Sequence, residues 1–131
     1  MNDKNKIPDE IQPAIEFMQA LIALNFEALL ELTTVTWREK YKEKAVEQLK
    51  ATLSAYNQPG AIDSYEIDAD KIEIIGLCMM DVPVKTFTYG CDIATLHKLR
   101  LVCEKAAYEP SVNGTWGANP ISFLRTYEVE K

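Results

Sequence analysis

The chain has 131 residues, room for one domain around one core. Hydrophobic residues make up 47% and charged residues 26%, a globular balance that excludes a disordered or fibrous chain. A formal net charge of −6 repels phosphate backbones and argues against a nucleic-acid partner.

A single domain is expected over residues 1–131, with residues 1–8 polar and flexible. Those first residues hold no apolar core of a signal peptide, so the reading is a cytoplasmic protein; a chain whose export signal had been removed would read the same way. The first helix is predicted from about Asp9–Pro13, where proline suits a first turn, to about Leu32. Ile11, Ile15, Met18, Ile22, Asn25, Leu29 and Leu32 share one face, and Phe17, Leu21, Leu24 and Ala28 widen it. Only the strip Glu16, Ala20, Ala23, Glu27, Glu31 is left for solvent. Polar residues interrupt the helix too often for it to cross a bilayer, so no membrane insertion is expected. A helix this apolar needs a wide cover, and a sheet is the natural one.

Thr33 to Thr36 breaks the helix. Thr36 and Glu39 have capping-box spacing and predict a second helix to about Tyr56. Trp37, Tyr41, Ala45, Leu49, Leu53 and Tyr56 lie on one stripe. Lys40, Lys42, Lys44 and Lys50 alternate with Glu39, Glu43 and Glu47, a solvated face rather than a basic patch. Asn57-Gln58-Pro59-Gly60 ends the helix.

Beyond Gly60 the period becomes alternating. A strand is predicted over Lys71–Met80, after an extended segment at 62–70, with Asp81-Val82-Pro83 as a turn or an edge. A second strand, Lys85–Ala94, points Phe87, Tyr89, Cys91 and Ile93 one way and Thr86, Thr88, Gly90 and Asp92 the other. A turn at Leu96-His97-Lys98 leads to a third strand from Leu99 to about Val112. Asn113-Gly114 predicts a type I′ hairpin. The last strand follows as Thr115-Trp116, a bulge at Gly117–Pro120, then Ile121–Val129. The fold class is therefore α+β, with N-terminal helices packed on a curved antiparallel sheet.

Three stretches resemble the nuclear transport factor 2-like (cystatin-like, α+β cone) superfamily. "AIEFMQALIALNFEALLELTT", Ala14–Thr34, is similar to its opening helix with a bend and re-entry. "GAIDSYEI", Gly60–Ile67, resembles the approach to its first strand. "VNGTWGANPISF", Val112–Phe123, resembles its last hairpin. The resemblance implies a curved sheet wrapped round the first helix, a conical cavity and a homodimer formed through the sheet. It does not fix an activity, since the superfamily spans isomerases, cyclases, dehydratases, transport adaptors and pocket proteins.

Pairing about the predicted 96–98 turn sets Cys91 opposite Cys103, Ile93 opposite Leu101 and Tyr89 opposite Lys105, on a face shared with Phe87. That is a thiol pair lining a pocket, or, more commonly, two small buried hydrophobes. Arg125 interrupts the stripe Ile121, Phe123, Tyr127, Val129; it would hold an acidic ligand, or it snorkels from a strand end, or a bulge shifts the parity. Trp37 and Trp116 would cap a pocket mouth or pack as core. The expected pocket lining is thus Trp37, Phe87, Tyr89, Cys91, Cys103 and Arg125. Alternation separates Tyr89 from Asp92, and a turn histidine is usually solvated, so no catalytic residue is expected. With one histidine and no paired cysteines, no metal or cofactor is expected either. The leading expectation is a pocket protein for a small apolar or weakly acidic ligand, or a protein partner; the alternative is an isomerase- or cyclase-type enzyme. A protein-binding domain would instead use the sheet's outer face, with Val102, Ala106 and Tyr108.

Overall fold

The computed structural model of the protein describes residues 11–56, 62–90, 94–125 and 127–129. The expected first helix is two. α1 spans Gln12–Ile22 with Pro13 in its first turn, and α2 spans Phe26–Glu31. The break is a Schellman stop. Asn25 N donates to Ala20 O at 2.9 Å and Leu24 N to Leu21 O at 3.1 Å, with Leu24 left-handed at φ 58°. Asn25 then caps α2, its side-chain oxygen accepting from Ala28 N. The bend rotates the apolar face, so Ala20, assigned to the solvent strip, is buried, while Leu24 is exposed.

α3 spans Val35–Tyr41 and α4 spans Ala45–Tyr56. The capping residue is Thr34, not Thr36: Thr34 Oγ1 accepts from Trp37 N at 3.1 Å. Thr36 is bonded elsewhere, as described below. Lys42, at φ 49°, and a 3-10 turn over Lys42–Lys44 divide what the sequence reads as one helix. The predicted stripe survives the division. Trp37, Ala45, Leu49 and Leu53 are buried, and the Trp37 and Tyr41 rings pack tilted at 57° with centroids 4.6 Å apart. The expected stop at Asn57–Gly60 lies outside the described residues.

The rest is an antiparallel sheet curled into a half-barrel, followed in chain order by β1 (Ile62–Ile67), β2 (Glu73–Gly76), β3 (Met79–Thr88), β4 (Ala94–Ala106), β5 (Glu109–Pro110), β6 (Thr115–Asn119) and β7 (Tyr127–Val129). β1 and β2 both pair with β3, β1 along Val84–Thr88 and β2 along Met79–Asp81. β3 pairs with β4, and β4 also pairs with β5, β6 and β7. A short helix, α5 (Pro120–Arg125), joins β6 to β7 where a continuous strand was expected.

The turns fall elsewhere than expected. The chain reverses at Leu77-Cys78, inside the predicted Lys71–Met80 strand, and runs straight through Asp81-Val82-Pro83. Pro83 is tolerated there because of its neighbours. Its carbonyl accepts from Asp68 N, so its missing N–H also faces the link between β1 and β2 and removes no bond to β4. The next reversal is at Tyr89-Gly90, with Gly90 at φ 73°, and not at residues 96–98. His97 is consequently inside β4, near its start. That strand ends at Ala106, where Tyr108 at φ 62° turns the chain, so the predicted run to Val112 is cut short. Asn113-Gly114 does turn, but neither residue has positive φ, so it is not type I′. Gly114 is required by close approach: a Cβ there would lie 2.2 Å from the Glu104 carbonyl carbon.

Register follows from the real turns. Met80 pairs with Leu101, Val84 with His97 and Thr86 with Thr95. Met80, Val82, Val84 and Thr86 of β3, with His97, Leu99, Leu101 and Cys103 of β4, form the buried concave face. Phe17, Met18 and Leu21 of α1 fill it, each at most 1% exposed, and each such side chain contributes roughly 1.5–3 kcal/mol of burial. Helices and sheet are joined by backbone as well as grease. Thr33 and Ala118 form a parallel bridge, with Ala118 N donating to Leu32 O at 2.7 Å and Thr34 N to Ala118 O at 3.0 Å.

Candidate functional site

The concave face is apolar over most of its length and polar at one end. There Thr86 and His97, 1% and 3% exposed, meet with Oγ1 and Nε2 2.9 Å apart. The hydroxyl or the ring N–H donates, according to the tautomer. Strand alternation explains the meeting: both residues sit on the inward parity of adjacent strands as diagonal neighbours, Thr86 opposite Thr95 and His97 two residues on, opposite Val84. Burial of an imidazole and a hydroxyl costs free energy unless they bond, and here each supplies the other. Ile62 and Ala94 are buried at the same end of the sheet. The expectation of a solvated turn histidine is therefore wrong, because the turn it rested on is displaced.

The expected lining residues are not brought together. Phe87 is half-buried on the opposite parity from Thr86, not on the helix side, and Tyr89 is exposed in the β3–β4 turn. Cys91 lies outside the described residues. Arg125 closes α5, so the strand stripe that it was thought to interrupt does not exist; its side chain is outside the described part. Trp37 and Cys103 are buried at the far end, with about 30 Å of strand between Cys103 and the partner of Phe87. Trp37 Nε1 is buried with no hydrogen-bond partner among the described residues.

At that far end the thiol opposite Cys103 is Cys78, not Cys91: Cys103 N donates to Cys78 O at 2.8 Å. Burial pushes the Cys103 thiol up, opposed by a backbone N–H from Gly114 and assisted by Cys78 and Glu104. A raised thiol holds its proton in the folded state. Its contribution to stability is whole below the ordinary thiol value and is lost as pH climbs through the raised one. Treatment with iodoacetamide at mildly alkaline pH should accordingly label the half-exposed Cys78 at least about tenfold faster than Cys103. Peptide mass spectrometry reads this directly; equal rates in the folded protein would contradict the burial.

The outer face of the same strands carries Arg100, which donates through Nε and Nη2 to the two carboxylate oxygens of Asp81 at 2.7 and 2.9 Å. This hydrogen-bonded carboxylate raises the Arg100 pKa, and the pair is a strand clamp. A groove of about 380 Å³ runs along α1 and α2 on their solvent side, with Ala20, Ala23 and Ala28 on its wall and Glu16, Gln19 and Glu31 at its rim. It offers the carboxylates of Glu16 and Glu31 and the amides of Gln19 and Asn25, with no histidine, cysteine, hydroxyl or cation beside them. Among the described residues no three His, Cys, Asp or Glu side chains gather as a metal site, and no helix is long and apolar enough to cross a membrane.

No protein-family model matches the chain, and no curated protein is similar to it.

Sequence reasoning missed the Thr86–His97 pair. Two signals were present: a histidine inside the β-branched and leucine-rich run from Ala94 to Val102, and a glycine at position 90 able to carry the turn.

Proposed function

We propose that the protein is a pocket protein of the nuclear transport factor 2-like cone class, holding a small apolar or weakly acidic ligand at the polar end of the concave face. The observation that carries this is the buried Thr86–His97 pair on an otherwise apolar surface. Small-molecule sites are built this way, from greasy walls and a few placed polar groups that fix orientation. An imidazole can donate to a carboxylate or carbonyl and accept from a hydroxyl, which suits a weakly acidic ligand. The helix–bend–helix opening and the half-barrel support the class.

The test is binding of 1-anilinonaphthalene-8-sulfonate, an apolar anion, to protein shown to be packed by near-ultraviolet circular dichroism. Fluorescence should rise with wild type, and His97→Phe and Thr86→Val should each weaken binding about tenfold, the value of one hydrogen bond. A folded wild type that leaves the probe dark, or variants that bind as well, would remove the pocket from this end of the sheet.

A second reading rests on the same pair. A neutral imidazole steadied by a hydroxyl can take a proton from a substrate carbon and return it to a neighbouring one, so an isomerase-type enzyme using His97 as base is the alternative. His97→Gln separates the two: it keeps hydrogen bonding for binding and abolishes proton transfer.

A further inference from the structure

Two thiols meet where the turn between β2 and β3 reaches the far end of β4. Leu77 and Cys78 make the turn, and Cys103 lies near the end of β4. β3 pairs with β4 as Met80 to Leu101 and Met79 to Val102, so the next rung is Cys78 to Cys103. The hydrogen bond from Cys103 N to Cys78 O, at 2.8 Å, closes that rung. Residues paired through such a bond have Cα atoms about 5.5 Å apart, inside the ~4.4–6.8 Å that a disulfide spans. Alternation puts Cys78 on the parity of Met80 and Val82, and Cys103 on that of Leu99 and Leu101, so both belong to the concave face. Both are free thiols of unequal access: Cys78 is half-buried in the turn, and Cys103 is 1% exposed.

We propose that Cys78 and Cys103 are a peroxide-oxidised pair, Cys78 taking the oxidant and Cys103 closing a disulfide. The Cys78 thiolate attacks one oxygen of hydrogen peroxide. The O–O bond breaks, the sulfur gives up two electrons and becomes a sulfenic acid, and the second oxygen leaves as hydroxide and takes a proton to form water. The Cys103 thiolate then attacks the Cys78 sulfur. An S–S bond forms, the S–O bond breaks, and the departing hydroxide takes a proton to form a second water. Two thiols and one peroxide thus give one disulfide and two waters. Two features divide the roles. Peroxide reaches Cys78 from solvent and does not reach Cys103. A backbone N–H from Gly114 meets the Cys103 sulfur and favours its thiolate when it must attack. A disulfide with one sulfur in a half-exposed turn is of the labile, reducible kind, so the change is reversible. The bond staples the turn to β4 at the opposite end from Thr86 and His97, and the proposal does not rest on the pocket.

The folded protein treated with a roughly tenfold excess of hydrogen peroxide, then mapped by non-reducing tryptic mass spectrometry, tests it. Peptide 72–85 should appear joined to peptide 101–105 within one chain, and dithiothreitol should release them. Cys91→Ser should form the same bond. Cys103→Ala should instead accumulate a Cys78 sulfenic acid that dimedone traps, at least about tenfold more than in wild type. A bond to Cys91, a bond between two chains, or Cys78 oxidised beyond sulfenic acid with Cys103 still free overturns the proposal. So does equal dimedone labelling of wild type and Cys103→Ala. Should Cys103→Ala fail to fold, Cys78→Ser, altered only in the turn, decides: Cys103 should then oxidise at least about tenfold more slowly than in wild type, and an unchanged rate overturns the assigned roles.

Discussion

Replacing Gly117 with valine should cost about 4 kcal/mol, a large part of the ~5–15 kcal/mol that holds a domain this size together. Gly117 packs directly on the stretch that links α2 to α3. A Cβ there would sit 2.5 Å from Thr33 O, 2.8 Å from Thr33 C and 2.9 Å from Thr34 Cα, all backbone atoms with no side-chain end to swing away. Relief requires β6 to retreat, which breaks the bonds from Ala118 N to Leu32 O and from Thr34 N to Ala118 O. Those two bonds tie the helical half to the sheet. Alanine should act in the same direction, at about 3 kcal/mol, because the first added carbon already makes the clash. Urea denaturation of both variants measures this. A midpoint within error of wild type would mean that the seam between the halves is not where the structure puts it.

Glu104→Ala should cost about 3 kcal/mol. Glu104 is 5% exposed, and its carboxylate accepts from Thr36 N and from Thr36 Oγ1. Thr36 Oγ1 accepts in turn from Tyr108 N at 2.8 Å, so the carboxylate links the first turn of α3 to the turn after β4. Alanine strands donors that are partly shielded from water. Glu104→Gln retains one of the two acceptor oxygens and should lose about half as much. A Glu104→Gln protein as weak as Glu104→Ala would mean that a single neutral acceptor does not hold Thr36.

The helices were readable because burial needs only periodicity. The stripe from Trp37 through Leu49 to Leu53 is apolar every third or fourth residue, and those residues are buried. The joints were not readable. Leu24 and Lys42 have positive φ without being glycine or asparagine, and nothing in their side chains marks a stop. The sheet went wrong at one place and the error spread. Asp81-Val82-Pro83 has turn composition, yet the proline's missing donor faces the link between β1 and β2, where the strand loses nothing. Moving the turns changed the register, and with it which thiol lies opposite Cys103 and which face Phe87 takes. His97 was lost the same way, which is why the candidate site was not legible while the α+β class was. Gly114 and Gly117 were noted as turn and bulge residues, but their reason is close contact with chain far away in sequence.

The bridge between Thr33 and Ala118 has a consequence for synthesis. Roughly 85 residues separate the two, so at a ribosomal rate of ~5–20 residues per second the helices emerge several seconds before the strand that latches them. For most of that interval the side chains of Phe17, Met18 and Leu21 wait for the concave face of β3 and β4, which emerges before β6. The first half of the chain therefore gains its surface and its backbone latch one after the other, the latch last.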